Sequence, residues 1–206
     1  MSGILTTARL VFKDSNARDK AIEAFHNIIA YTTPKEPEVL QYVCALPVDD
    51  TSKTVVYMIE EYANQAASDA HLATKPVQDL IHLFTTGDVL AGAPEVHNCS
   101  IKHRKTSGSP LSVSSNPAIV LLHTTSSSLE NVQSAAEASA KSLNSTLVVE
   151  DKETSGVRAE YVFDSWKSYE AFEKTDAAKA ILKSAKNVVK IRAIDGFLGR
   201  EEKSRL

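Results

Sequence analysis

The residue best suited to proton transfer is His71, because imidazole is the side chain that changes charge near neutral pH. Two tyrosines, Tyr42 and Tyr62, fall on neighbouring predicted strands, where their hydroxyls could hydrogen-bond a phenolic oxygen of a ligand. Asn64 follows at the corner between the second strand and the helix that carries His71. If they share a pocket, these four residues could supply acid–base and hydrogen-bonding chemistry.

Each of the four also has a structural alternative. A histidine on a short amphipathic helix is often structural or solvated, and a tyrosine in a strand often packs in the core with its hydroxyl satisfied. Asn64 and Glu61 could instead cap the helix or lie at the rim of a pocket.

The spacing of the histidines argues against a metal site. His97 and His103 share a face of one strand but lie about 20 Å apart at roughly 3.3 Å per residue. His71 and His82 are about 16 Å apart on a continuous helix. Neither pair fits one ion at bond lengths of about 2 Å, so we expect no metal.

Two halves of the chain predict the same order of elements, βαββαβ. In residues 1–104 we expect strands at 4–13, 39–47, 54–62 and 95–103, with helices at 17–31 and 64–84, the second broken near Pro76. The first helix is expected to stop at 33–37, where two prolines interrupt the helical hydrogen bonds.

Residues 105–116 are rich in Ser, Gly and Pro and predict a linker. Residues 117–206 repeat the order, with strands at 118–124, 146–150, 157–163 and 188–197 and helices at 129–143 and 165–184.

Several strands are apolar without interruption, as in 10–12, 118–122 and 147–149. A sheet with helices on one face and water on the other should alternate, so the second face is expected to be covered too. The fold class that follows is α+β, with two tandem ferredoxin-like domains whose sheets pair in a dimeric α/β-barrel type arrangement. The pairing could occur within one chain or between the chains of a homodimer.

Composition and net charge narrow the classes of partner that we expect for this protein. A net charge of -3 and a pI near 6.1 give no reason to expect nucleic acid or an anionic membrane surface. No apolar run reaches the roughly 20 residues that a membrane helix needs. Cys44 and Cys99 are isolated and predict reduced thiols of an intracellular protein. The sequence lacks nucleotide-binding and triad motifs.

Three blocks in the first half resemble the antibiotic biosynthesis monooxygenase family: EPEVLQY at 36–42, DDT at 49–51 and EEYANQAASDAHLAT at 60–74. They depart from the family pattern at Glu38, where a glycine is usual, and at Tyr62, where tryptophan is common. The second half resembles the superfamily more loosely and has Phe172-Glu173 near the place of the histidine.

The resemblance implies a monooxygenase that uses no flavin, haem or metal and therefore no cofactor. Its substrates would be O₂ and a small aromatic or enolisable molecule of the anthrone or quinol type, because a phenolate or enolate can pass an electron directly to O₂. His71 would act as the base or orienting group, and Tyr42, Tyr62 and Asn64 would bind the substrate. The alternatives are a non-catalytic small-molecule-binding or stress-response barrel, and a structural or partner-binding module.

The last three residues, Ser204-Arg205-Leu206, are a variant of the Ser-Lys-Leu peroxisomal signal. We expect peroxisomal import if the source is a eukaryote and a cytoplasmic location otherwise.

Overall fold

A computed structural model describes residues 3–125, 129–138, 143–151 and 153–200. The tripeptide Ser204-Arg205-Leu206 lies outside these ranges. The strands are β1 (Ile4–Val11), β2 (Val39–Pro47), β3 (Val55–Tyr62), β4 (Glu95–Thr106), β5 (Ala118–Thr125), β6 (Leu143–Asp151), β7 (Gly156–Phe163) and β8 (Asn187–Phe197). The helices are α1 (Ser15–Lys35), α2 (Gln65–Leu72), α3 (Lys75–Thr86), α4 (Leu129–Ala138), α5 (Trp166–Glu173) and α6 (Asp176–Ser184).

Both repeats follow the predicted order, with the second helix divided in two. The division comes at Ala73–Thr74, and Pro76 lies in the first turn of α3, where its missing N–H costs no helical hydrogen bond. The second repeat is divided at the corresponding place, between α5 and α6. Within the described ranges, no helix combines the length and the hydropathy needed to cross a membrane.

The eight strands form one closed barrel in the order β1-β3-β2-β8-β5-β7-β6-β4, with β4 returning to β1. The edge strands of the first repeat, β2 and β4, pair with β8 and β6 of the second. Each of the described strands therefore has a neighbour on both sides. The prediction that both faces of each sheet are covered is confirmed, and the barrel closes within a single chain, so covering the sheets requires no second copy.

At the joint between β2 and β8 the two backbones approach very closely at Gly196. A Cβ atom at this position would lie 2.0 Å from the carbonyl oxygen of Tyr42, and the residue has a φ of +115°. Only glycine satisfies both conditions.

Three apolar clusters follow from this arrangement. One lies between the outer face of the first sheet and α1–α3, and a second lies between the second sheet and α4–α6. The third fills the barrel, where inward-facing residues of both repeats meet, such as Leu5, Val43, Ile119 and Ile191. Seven of the strands thus place one face against helices and the other inside the barrel, whereas β4 contributes to the barrel cluster alone, through Cys99 and Ile101.

Helix α1 runs to Lys35, past its predicted end at residue 31 and into the segment 33–37 that was expected to stop it, and contains Pro34 in its last turn. The end of the helix finds partners outside itself. The guanidinium of Arg200 donates to the carbonyl oxygens of Thr32 at 3.1 Å, Thr33 at 2.9 Å and Glu36 at 2.9 Å. A cation at this end also complements the helix dipole, so the turn persists despite the proline.

Candidate functional site

His71 is the seventh residue of α2 and points into the layer between the first sheet and its helices, where it is 1% exposed. Its Nδ1 lies 3.0 Å from Oε2 of Glu36, which follows α1 directly. The same oxygen accepts a hydrogen bond of 2.6 Å from Oγ1 of Thr32. Glu36 therefore fixes the orientation of the imidazole ring.

Tyr42 and Tyr62 flank this histidine from the sheet. Their ring centroids lie 5.2 Å and 5.6 Å from that of His71, and both tyrosines are 1% exposed. The hydroxyl of Tyr62 donates to Oε2 of Glu60 at 2.5 Å. The structure thus brings three of the four sequence-predicted residues together with two carboxyl groups. We refer to Glu36, Tyr42, Glu60, Tyr62 and His71 as the first-repeat cluster.

Burial controls the protonation of this cluster. It is the main reason that the pKa values of Tyr42 and Tyr62 lie well above that of a free phenol, and the negative charge of Glu60 adds to the effect. Both hydroxyls therefore stay protonated and can donate hydrogen bonds, as that of Tyr62 does to Glu60. Burial also raises the pKa of Glu60, against the opposing effects of the hydrogen bond from Tyr62 and the nearby His71.

Asn64 lies at the corner between β3 and α2 as predicted, but its contacts are those of a helix cap. Its Oδ1 accepts from the backbone N–H of Ala67 at 2.9 Å, and its Nδ2 donates to Oε1 of Glu38 at 3.4 Å. Neither contact involves the first-repeat cluster.

The sequence did not identify Glu36 or Glu60 as members of the site, or Arg200 as a partner of the turn that carries Glu36. Glu36 and Glu60 belong to the sequence blocks that resemble the family, but nothing in those blocks indicated that their carboxyl groups contact His71 and Tyr62. Arg200 had no signal, because its carbonyl partners lie 161 to 168 residues earlier in the chain.

The first-repeat cluster can perform acid–base chemistry. A histidine held by a carboxylate can accept a proton, and two neutral phenols can donate hydrogen bonds to an oxygen that becomes negative. Across the described part of the chain, no group of three or more His, Cys, Asp or Glu side chains is arranged to hold a metal ion.

The corresponding layer of the second repeat is aromatic. Phe172 is the seventh residue of α5, as His71 is of α2, and Phe163 ends β7, as Tyr62 ends β3. The Phe163 and Phe172 rings lie 5.2 Å apart, and Tyr161 lies 5.5 Å from Phe172. The sequence had indicated that this half lacks the histidine. The structure shows that the residues around the corresponding position, Phe172, are aromatic as well.

Comparison with protein families shows that residues 10–83 match the antibiotic biosynthesis monooxygenase family. This span includes all five residues of the first-repeat cluster. None of the curated protein sequences matches the chain.

Solved structures match the entire chain at low identity. A candidate monooxygenase from Fusobacterium nucleatum has a TM-score of 0.81 at 14% identity, over 97% of this chain and 96% of that one. A second candidate monooxygenase, from Lactobacillus acidophilus, has a TM-score of 0.75 at 15% identity, over 98% and 100%. An anthrone oxidase-like protein has a TM-score of 0.63 at 11% identity, over 100% and 96%. At these identities the similarity shows that the fold is shared.

Proposed function

Because residues 10–83 match the antibiotic biosynthesis monooxygenase family, we propose that the protein is a cofactor-independent monooxygenase acting on a small aromatic or enolisable metabolite. The observation that carries the proposal is the grouping of His71, Tyr42 and Tyr62 around two carboxyl groups inside that span. An anthrone or quinol is the substrate type that such a site suits.

His71 takes the first step by removing a proton from the substrate. Glu36 accepts the Nδ1–H bond, so Nε2 is the nitrogen that receives the proton. Tyr42 and Tyr62 then donate hydrogen bonds to the oxygen of the resulting phenolate or enolate. Asn64, at the rim, contributes to substrate binding while it caps α2.

The deprotonated substrate supplies the electrons. It reduces O₂ within a water-poor layer, where the anion is not stabilised by solvent. For a substrate with a reactive CH₂ group, one oxygen atom becomes the product carbonyl and the other leaves as water, so that CH₂ and O₂ give C=O and H₂O.

A non-catalytic role as a small-molecule-binding barrel is the second candidate. The observation that favours it is the burial of the cluster, since all three rings are 1% exposed and a substrate must displace side chains to reach them. A binding protein would take up the same aromatic compounds and return them unchanged.

Oxygen consumption by the metal-stripped protein, across a panel of anthrones, hydroquinones and related phenols, tests the proposal. We expect consumption above the autoxidation rate, insensitive to chelator, with quinone formed. His71→Ala should abolish it, whereas His82→Ala, which removes an exposed histidine of α3, should not. Binding of panel members without any consumption would reject the monooxygenase and favour the second candidate.

The terminal Ser204-Arg205-Leu206 leads us to propose peroxisomal import in a eukaryotic source. An unchanged location after deletion of Leu206, followed with a fluorescent protein fused to the N-terminus, would reject it.

A further inference from the structure

One end of the barrel opens into a cleft with a volume of about 700 Å³. This is within the range of roughly 300–1,000 Å³ typical of small-molecule sites. Both repeats contribute to what we call the barrel-mouth cleft, and its lining includes Gln41, Glu61, Arg104, Glu160, Leu198 and Arg200. The first-repeat cluster lies on the opposite face of the same sheet, so the two sites are separate.

Glu160 is the unusual residue of the cleft. It lies on β7, points into the barrel and is 2% exposed. Its Oε1 accepts a hydrogen bond of 2.6 Å from Nε2 of Gln41, a neutral amide on β2. It also lines a smaller cavity at the other end of the barrel, which places it near the middle of the interior.

Glu61, the other buried acid of the cleft, has a charged partner instead. Both carboxylate oxygens of Glu61 accept hydrogen bonds from the guanidinium of Arg104, one of them at 3.1 Å. This bidentate pair uses the charge of Arg104 and neutralises Glu61. Glu160 thus faces the cleft as a buried carboxyl group whose direct partner is an uncharged amide.

The protonation of Glu160 reflects this position. Burial is the largest cause that raises its pKa to about 7; the charge of Glu61 adds to the effect, while Gln41 and Arg104 oppose it. The charged or titratable groups of the cavity on its other side are Arg9, Tyr57, Glu95, His97, His123 and Arg158. Near neutral pH, a ligand can therefore determine whether Glu160 is ionised.

We propose that the barrel-mouth cleft binds a small organic cation, a protonated amine or amidine with an alkyl or aryl body, whose N–H groups donate to the carboxylate of Glu160. A cation supplies the charge-assisted hydrogen bond that Gln41 does not. The side chains of Leu40, Leu147 and Leu198 provide apolar wall for the body of the ligand. The inference does not depend on oxygenase activity in the first repeat.

Calorimetric titration of the full-length protein with benzylamine, at pH 6 and at pH 8, tests the assignment. The amine is protonated at both values, so the change in affinity reports the ionisation of the protein group. We expect binding about tenfold tighter at pH 8, because Glu160 is mostly protonated at pH 6. Benzyl alcohol, which has the same ring and no charge, should bind more weakly and equally at both pH values.

Two variants locate the effect. Glu160→Gln keeps the shape of the side chain and should weaken benzylamine binding at pH 8 at least tenfold and remove the dependence on pH. Glu150→Gln is the matched control, since Glu150 lies on β6, pairs with Lys102 at 2.9 Å and does not line the cleft. Equal affinity at both pH values in the wild type, unchanged binding in Glu160→Gln, or no binding at all would each overturn the proposal.

Discussion

The two repeats share one order of strands and helices but fill the layer between sheet and helices with different side chains. In the first repeat, Glu60, Tyr62 and His71 meet there with Glu36. At the same places along the strand and helix, the second repeat has Tyr161, Phe163 and Phe172, whose rings pack against one another at tilted angles. Among the described residues of the second repeat, the buried acids are Asp151 and Glu160, which belong to strands that line the barrel.

The aromatic version shows that apolar contact is enough to hold a helix of this kind on its sheet. The polar version needs a dedicated partner for each group, because an unpaired polar side chain in such a layer costs free energy. Glu36 is the partner of His71 and of Thr32, and Glu60 is the partner of Tyr62. A site for acid–base chemistry requires such paired polar groups, whereas a purely structural layer does not.

The largest expected effect is on stability, in the aromatic layer. Phe163 is 0% exposed and contacts Tyr161, Tyr169 and Phe172, so Phe163→Ala should lower the free energy of unfolding by about 3–5 kcal/mol. Denaturant unfolding measures the change. Leu72→Ala, at a side chain that is 47% exposed, is the control and should stay within about 0.5 kcal/mol. A loss below about 1 kcal/mol at Phe163 would show that this layer is not the core it resembles.

The second effect concerns Glu160 and depends on pH. Its pKa is raised from 4.5 to about 7 on folding, so between these values the folded state keeps a proton that the unfolded state has lost. Stability from this group therefore falls as pH rises through that window. The advantage of Glu160→Gln over the wild type should increase from pH 5 to pH 8 by up to about 3 kcal/mol. Unfolding at both pH values tests this, with Glu150→Gln as control; a constant difference would contradict it.

A third substitution gives the first repeat the residue of the second. His71→Phe should reduce turnover of any substrate that the wild type oxidises by at least about 100-fold, because the proton acceptor is lost. Oxygen uptake at saturating substrate measures the loss, and circular dichroism verifies the fold. The reciprocal Phe172→His should create no activity, since the residues around Phe172 are the aromatic rings of Tyr161, Phe163 and Tyr169. Full activity in His71→Phe would show that turnover does not need His71 and that the difference between the two layers is not functional.

The smallest expected effect comes from removing the side chains that cap α2 and α5. Asn64→Ala and Ser165→Ala each remove a side chain that accepts from a backbone N–H in the first turn of the helix, and each should cost about 1 kcal/mol of stability. A rise in KM for Asn64→Ala alone would show that Asn64 also contacts substrate. Equal KM values would restrict Asn64 to capping.

Local patterns in the sequence predicted most of the fold. Apolar spacing and turn residues indicated both βαββαβ units, and the uninterrupted apolar runs indicated that both sheet faces are covered. The end of α1 was misplaced because Arg200, which stabilises that turn, belongs to the far end of the chain. For the same reason the sequence could not show that the barrel closes within one chain.

The candidate site was predicted in part. His71, Tyr42 and Tyr62 were identified from residue type and family resemblance, and the structure brings them together. Their carboxyl partners and the carboxyl group of Glu160 were not identified. The hydrogen bond between Gln41 and Glu160 joins residues 119 positions apart, and only the closure of the barrel makes them neighbours.

Closure within one chain also has a genetic consequence. When two identical chains form such a barrel, every substitution is inherited by both walls at once, so a residue useful on one side must be tolerated on the other. Here a codon change alters one wall and leaves the other as it was. One half of the gene can therefore accumulate the costly residues of a reactive site while the other half preserves the residues that keep the protein folded.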